Sequence, residues 1–113
     1  MPTIEEALLY KGLEPEIYAN DAVVMKNATR ALNAAQQTVL GSVGEDVDTY
    51  LKDDPRIAEL VLIYFDDLYS ERGVSAKVSG ATRRLVSDME QQLRLELATA
   101  KAKAATEAEE VTV

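Results

Sequence analysis

Glycine and proline set the frame for this chain. Its five glycines and three prolines fall at Pro2, Gly12, Pro15, Gly41, Gly44, Pro55, Gly73 and Gly80, and residues 16–40, 56–72 and 81–113 contain neither. These are the strongest helix breakers, costing roughly 1 and 3 kcal/mol in a helix interior. Three long breaker-free segments predict three main helices, with a shorter one ahead of them. The expected fold class is all-α: a small bundle of a short N-terminal helix, two longer core helices and a long C-terminal helix after a flexible or extended loop. In that reading residues 1–73 are the helical core and 74–80 the loop or arm. Residues 81–104 form a partner-binding helix, and 105–113 a disordered tail. A length of 113 residues argues for one domain.

Local signals place the helix ends. Thr3 and Glu6 make a capping-box pattern, and Gly12 suits a left-handed helix stop. Ile4, Leu8 and Leu9 are expected to face inward. The second helix is expected from Ala19 to Leu40, capped by Asn20 or Asp21, with Gly41 and Gly44 stopping it. Its stripe of Met25, Ala28, Leu32, Ala35 and Val39 is rich in alanine, so another helix can pack close. The acidic "EDVDTYLKDD" reads as a connector. Asp54 then caps the third helix with Pro55 in its first turn, where a missing N–H does no harm.

That third helix, within "DDPRIAELVLIYFDDLYSERG", is apolar on most sides. Ile57, Leu60, Val61, Tyr64, Phe65 and Leu68 form its main stripe, while Leu62, Ile63 and Tyr69 lie outside it. A helix apolar all round is covered all round. Few neighbours are on offer in so short a chain, so Leu62, Ile63 and Tyr69 are the expected subunit-interface residues. A central core helix covered by its own chain is the plainer alternative. Arg72 and Gly73 are expected to close this helix. "GVSAKVSG" follows with an apolar period of two, as a loop or an extended arm. The final helix carries a narrow seam of Val86, Met89, Leu93, Leu97 and Ala100, with Leu85 and Leu95 beside it. Arg84, Asp88, Glu90, Gln91, Arg94 and Glu96 make its other faces polar. A narrow seam fits a groove or a single partner helix. Leu85, Val86, Met89, Leu93 and Leu97 are therefore the expected partner-binding residues, the equal alternative being a helix that packs back on its own domain.

The chemistry is bounded by what is missing. The chain has no cysteine and no histidine. That removes disulfides, thiolate zinc sites, Cys nucleophiles and His-based triads. Asp66 and Asp67 are adjacent on a helix and point about 100° apart, so they cannot share a substrate atom. Glu5 and Glu6 meet the same objection. Asp46, Asp48, Asp53 and Asp54 fail the calcium-loop pattern, because Leu51 and Ile57 stand where Gly and Glu are needed. "GSVG" lacks the phosphate-loop spacing, and the five tyrosines read as packing residues. The expectation is no enzyme, no catalytic residue, no cofactor and no metal.

A net charge of −8 from 20 acidic and 12 basic residues excludes tight phosphate-backbone binding, since "ATRRL" and "AKAKAA" are the richest basic spots. An acidic surface lets nucleic acid pass without sticking, and it also serves plain solubility. No apolar run approaches the ~20 residues that span a bilayer. "MPTIEEALLY" lacks the basic start of a signal peptide, so a soluble protein made in the cytoplasm is expected.

Three stretches together resemble the small head–tail connector proteins of long-tailed bacteriophages, also called head-completion or portal-adaptor proteins. They are "TIEEALLYKGLE", "DPRIAELVLIYFDDLYSERG" with its Tyr69 and Arg72, and "SGATRRLVSDMEQQLRLEL". The resemblance covers about Ile4 to Leu97. The alanine-rich second helix and the acidic tail depart from the family pattern. The resemblance implies a structural protein of the virion, located at the head–tail junction and made in the bacterial host. It implies a ring homo-oligomer docked beneath the portal after packaging, extending the DNA channel and offering a surface to a stopper or tail-completion protein. DNA would pass through without specific binding, and neither membrane nor cofactor is involved. A second reading is a small helical regulatory or antitoxin-like module whose final helix folds onto a partner.

Overall fold

The chain's alternation of breakers and apolar stripes resolves into helices alone. The computed structural model describes residues 1–18, 20–70 and 80–111, with side chains for 1–18, 20–69 and 82–108. The helices are α1 (Ile4–Tyr10), α2 (Pro15–Tyr18), α3 (Ala22–Val43), α4 (Val47–Tyr50), α5 (Pro55–Ser70) and α6 (Gly80–Val111). No strand occurs among the described residues.

Capping fixes most of the boundaries. The Thr3 side chain accepts from the Glu6 N–H and the Glu6 carboxylate accepts from the Thr3 N–H, a reciprocal capping box. Gly12 ends α1 at φ +83°. Its N–H donates to the Leu9 carbonyl and the Leu13 N–H to the Leu8 carbonyl, the paired bonds of a Schellman stop. Asp21 caps α3 through the N–H groups of Val23 and Val24. The Asp54 carboxylate accepts from the Arg56 N–H at 2.9 Å at the head of α5.

Several boundaries differ from expectation. α3 starts at Ala22, later than Ala19, and runs through Gly41 to Val43. A solvated glycine costs a helix only about 1 kcal/mol, and burial of Val43 offsets it. Gly44, at φ +145°, is the true stop. Two one-turn helices, α2 and α4, were not expected. The second lies in the acidic connector and is held by Val47, which is fully buried. Residues 105–111, expected to be disordered, continue α6 as helix. Alanine and unbranched side chains favour that outcome. Of the expected loop 74–80, Gly80 already belongs to α6; the rest, like Arg72 and Gly73, lies outside the described residues.

The core is one cluster drawn from five helices. α1 gives Ala7 and Leu8; α3 gives Ala28, Ala31, Leu32, Ala35, Val39 and Val43; α4 gives Val47. α5 adds Ile57, Leu60, Val61 and Phe65, and α6 adds Val86, Leu93 and Leu97. The α3–α5 interface is the most extensive, and the expected alanine stripe is what lets the two backbones approach. Leu9 departs from its expected inward place and is 60% exposed.

Candidate functional site

α6 is the longest element, with 32 residues spanning about 48 Å at about 1.5 Å per residue. The molecule is 57 Å in its longest dimension, so one helix nearly sets the length of the whole. It runs antiparallel to α5. The Tyr64 hydroxyl donates to the Glu90 carboxylate at 2.9 Å, and Arg56, about two turns earlier on α5, reaches Glu96 on α6.

The seam of α6 belongs to the chain's own core. Val86, Leu93 and Leu97 are buried there, and Met89 is half-buried against it. For Val86, Leu93 and Leu97 this is the alternative of a helix packed back on its own domain: periodicity marks a face to be covered, and here α3, α4 and α5 cover it. Leu85 alone of the five is exposed, and Leu95 is exposed as well. Glu90 was placed on a polar face, yet it is buried. Its spacing of four from Val86 and three from Leu93 puts it in the seam, a signal the sequence did carry.

Polar clasps fix α6 along one side. Arg56 makes a fork on Asp54, at 3.0 Å through Nε and 2.7 Å through a terminal nitrogen, and holds Glu96 with the other. The Asp54 carboxyl sits below its ordinary range because Arg56 bonds to it, against an opposing effect of burial. The Arg56 guanidinium is correspondingly harder to deprotonate. Arg94 donates to the Ser42 carbonyl at 2.9 Å, rather than serving Glu90 one turn back. Lys101 pairs with Asp46 at 2.7 Å, which lowers the Asp46 pKa chiefly through that bond. Past Lys101 the described side chains are exposed apart from the half-buried Ala104. The last turn has no basic residue to complement the helix's negative end.

The apolar girdle of α5 is also largely absorbed within the chain. Leu62, Ile63, Leu68 and Tyr69 are half-buried and packed on the core. Tyr69 stacks on Phe65, ring centroids 5.5 Å apart. Leu62, Ile63 and Tyr69, the expected subunit-interface residues, are thus partly covered within the chain, where α1, α3 and α6 pack on α5. Tyr64 is pushed up to about 12, first by burial and then by its bond to Glu90.

The carboxylates considered for catalysis occupy separate structural roles. Asp66 pairs with Lys11 at 2.7 Å and ties α1 to α5, while Asp67 is exposed. Glu6 caps α1. Among the described residues no cluster of acidic groups is arranged to hold a metal ion. None of the described helices is long and apolar enough to cross a membrane. A crease of about 230 Å³ lies between α3 and α5, lined by Asn27, Arg30, Leu68 and Tyr69. Compared with known proteins, the chain matches no family model, no curated protein and no solved structure.

Proposed function

We propose that this chain is a structural adaptor of a tailed-phage particle, assembling as a ring between portal and tail and extending the DNA channel after packaging. The observation that carries the reading is the shape of α6: a helix clasped to the bundle as far as Lys101 that continues to Val111. A helix end held out from a folded body is a handle for another protein, whereas a substrate site needs convergent groups in a concavity. The sequence resemblance supplies the identity of that other protein, the portal. The net charge of −8 suits a channel wall that DNA slides past. Half-buried Leu62, Ile63 and Tyr69 retain some surface for a neighbouring copy in the ring.

In this reading the partner-facing part of α6 is its distal end together with exposed Leu85, and the buried seam holds the helix in place. The test is a native mass measurement of the chain mixed with the portal protein encoded in the same genome. A stoichiometric complex, lost when residues 105–113 are removed, supports the reading. Absence of any association contradicts it. A toxin gene beside this one, with complex formation on that toxin, would favour the antitoxin-like alternative.

A further inference from the structure

Folding leaves a second surface uncovered, away from the seam of α6. Leu9 and Tyr10 close α1 and are 60% and 43% exposed, and Ile17 in α2 is 64% exposed. α2 is packed directly against α1, with only the Gly12 stop and three further residues between them. Single exposed apolar residues are ordinary, but three large ones on two elements that touch make a candidate interaction surface.

The charges around this surface say what covers it. Glu5 and Glu6 stand one turn before Leu9 and Tyr10, on the same faces of α1, and both are exposed. Glu14 precedes α2 and Glu16 lies in its first turn, and both are exposed too. α5 contributes Glu59 and Asp66, whose negative charges act on the Tyr10 hydroxyl, behind burial as the larger cause of its raised pKa. Lys11 and Asp66 pair at 2.7 Å and offset each other, which leaves Glu5, Glu6, Glu14, Glu16 and Glu59 to set the sign of the rim. The apolar centre therefore has an acidic rim. A second copy of this chain would bring the same rim and a further net −8, so like charges oppose self-pairing here.

We infer that the α1–α2 surface docks a basic amphipathic protein segment, one with aliphatic or aromatic residues flanked by Lys or Arg. Aliphatic side chains of the partner cover Leu9, Tyr10 and Ile17, and its cations meet the carboxylate rim. This surface is separate from the α6 end, so it stands or falls independently of the portal reading.

The probe is a short helical peptide of Leu and Lys in amphipathic order, titrated into the isotopically labelled full chain and followed by amide chemical shifts. Shifts should concentrate at Leu9, Tyr10 and Ile17. Leu9→Ser with Ile17→Ser keeps every charge and removes only exposed side chains, so the fold should survive, as circular dichroism would check. It should weaken binding about tenfold or more, about 1.4 kcal/mol. The control pair Leu85→Ser with Leu95→Ser should bind as the parent does. Equal binding by the parent and the Leu9/Ile17 variant would overturn the inference, since charge alone would then account for it. So would shifts mapping to α6, or a concentration-dependent dimer through these residues without peptide.

Discussion

Leu93 and Leu95 stand two positions apart on α6, about 200° around the helix, and they meet opposite surroundings. Leu93 is completely buried and Leu95 is 64% exposed. Leu93→Ala should lower unfolding free energy by about 2–5 kcal/mol, the range for emptying a packed core position. Leu95→Ala should stay within about 0.5 kcal/mol. Urea denaturation distinguishes them, and equal costs would mean that the seam of α6 is not where the structure puts it. The Tyr64–Glu90 bond makes a second prediction at this scale. Tyr64 has its pKa raised from 10.0 to about 12 in the folded chain. Its contribution to stability is therefore whole below about pH 10 and declines as pH rises toward 12, because the unfolded chain releases the proton first. Tyr64→Phe should be less stable at neutral pH, having lost a hydrogen bond to a buried carboxylate. It should also lose stability less steeply across that alkaline window. An unchanged alkaline slope would show that Tyr64 is not the group responsible.

Where elements meet, Gly41 and Gly44 show how two similar letters do different work. Gly41 lies within α3, and an added methyl group would touch nothing within 4 Å. Gly44 sits at φ +145°, and an added Cβ would fall 2.5 Å from the end of the Leu97 side chain. Gly41→Ala should stabilise by up to about 1 kcal/mol. Gly44→Ala should destabilise by about 1–3 kcal/mol through backbone strain and the displacement of Leu97. Thermal unfolding of the two variants checks the contrast, and a shift of the same sign in both would refute it. This pair also explains what the sequence made legible. Caps are local, so Thr3, Asp21, Asp54 and Gly12 could be placed from their neighbours. The stop at Gly44 was local too, whereas the close approach of Leu97, more than fifty positions away, was not legible, and Val47 rolls up a turn of helix only because a core is there to receive it. The seam of α6 was legible as a seam. Which body covers it was not, because a period of three and four records that a face is buried and leaves the covering partner unspecified. For the same reason the girdle of α5 read as unfinished, although α1, α3 and α6 complete most of it.

For the molecule as a whole, the consequence is a division of labour along α6. Its first part is core, fixed by Val86, Leu93 and Leu97 and clasped by Arg56, Arg94 and Lys101. Its last part is helix carried beyond those clasps, with carboxylates at the end of the helix where its dipole is already negative. The last turn carries no basic residue to complement that end, so the end should fray when the chain is alone and firm up against a partner. Hydrogen exchange along α6, with and without the portal protein from the same genome, tests this most directly. The account predicts slow exchange from Val86 to Leu97 in both samples, and fast exchange past Lys101 that becomes slow when portal is added. Exchange past Lys101 that portal leaves unchanged, or protection gained only in the already buried seam, would contradict it.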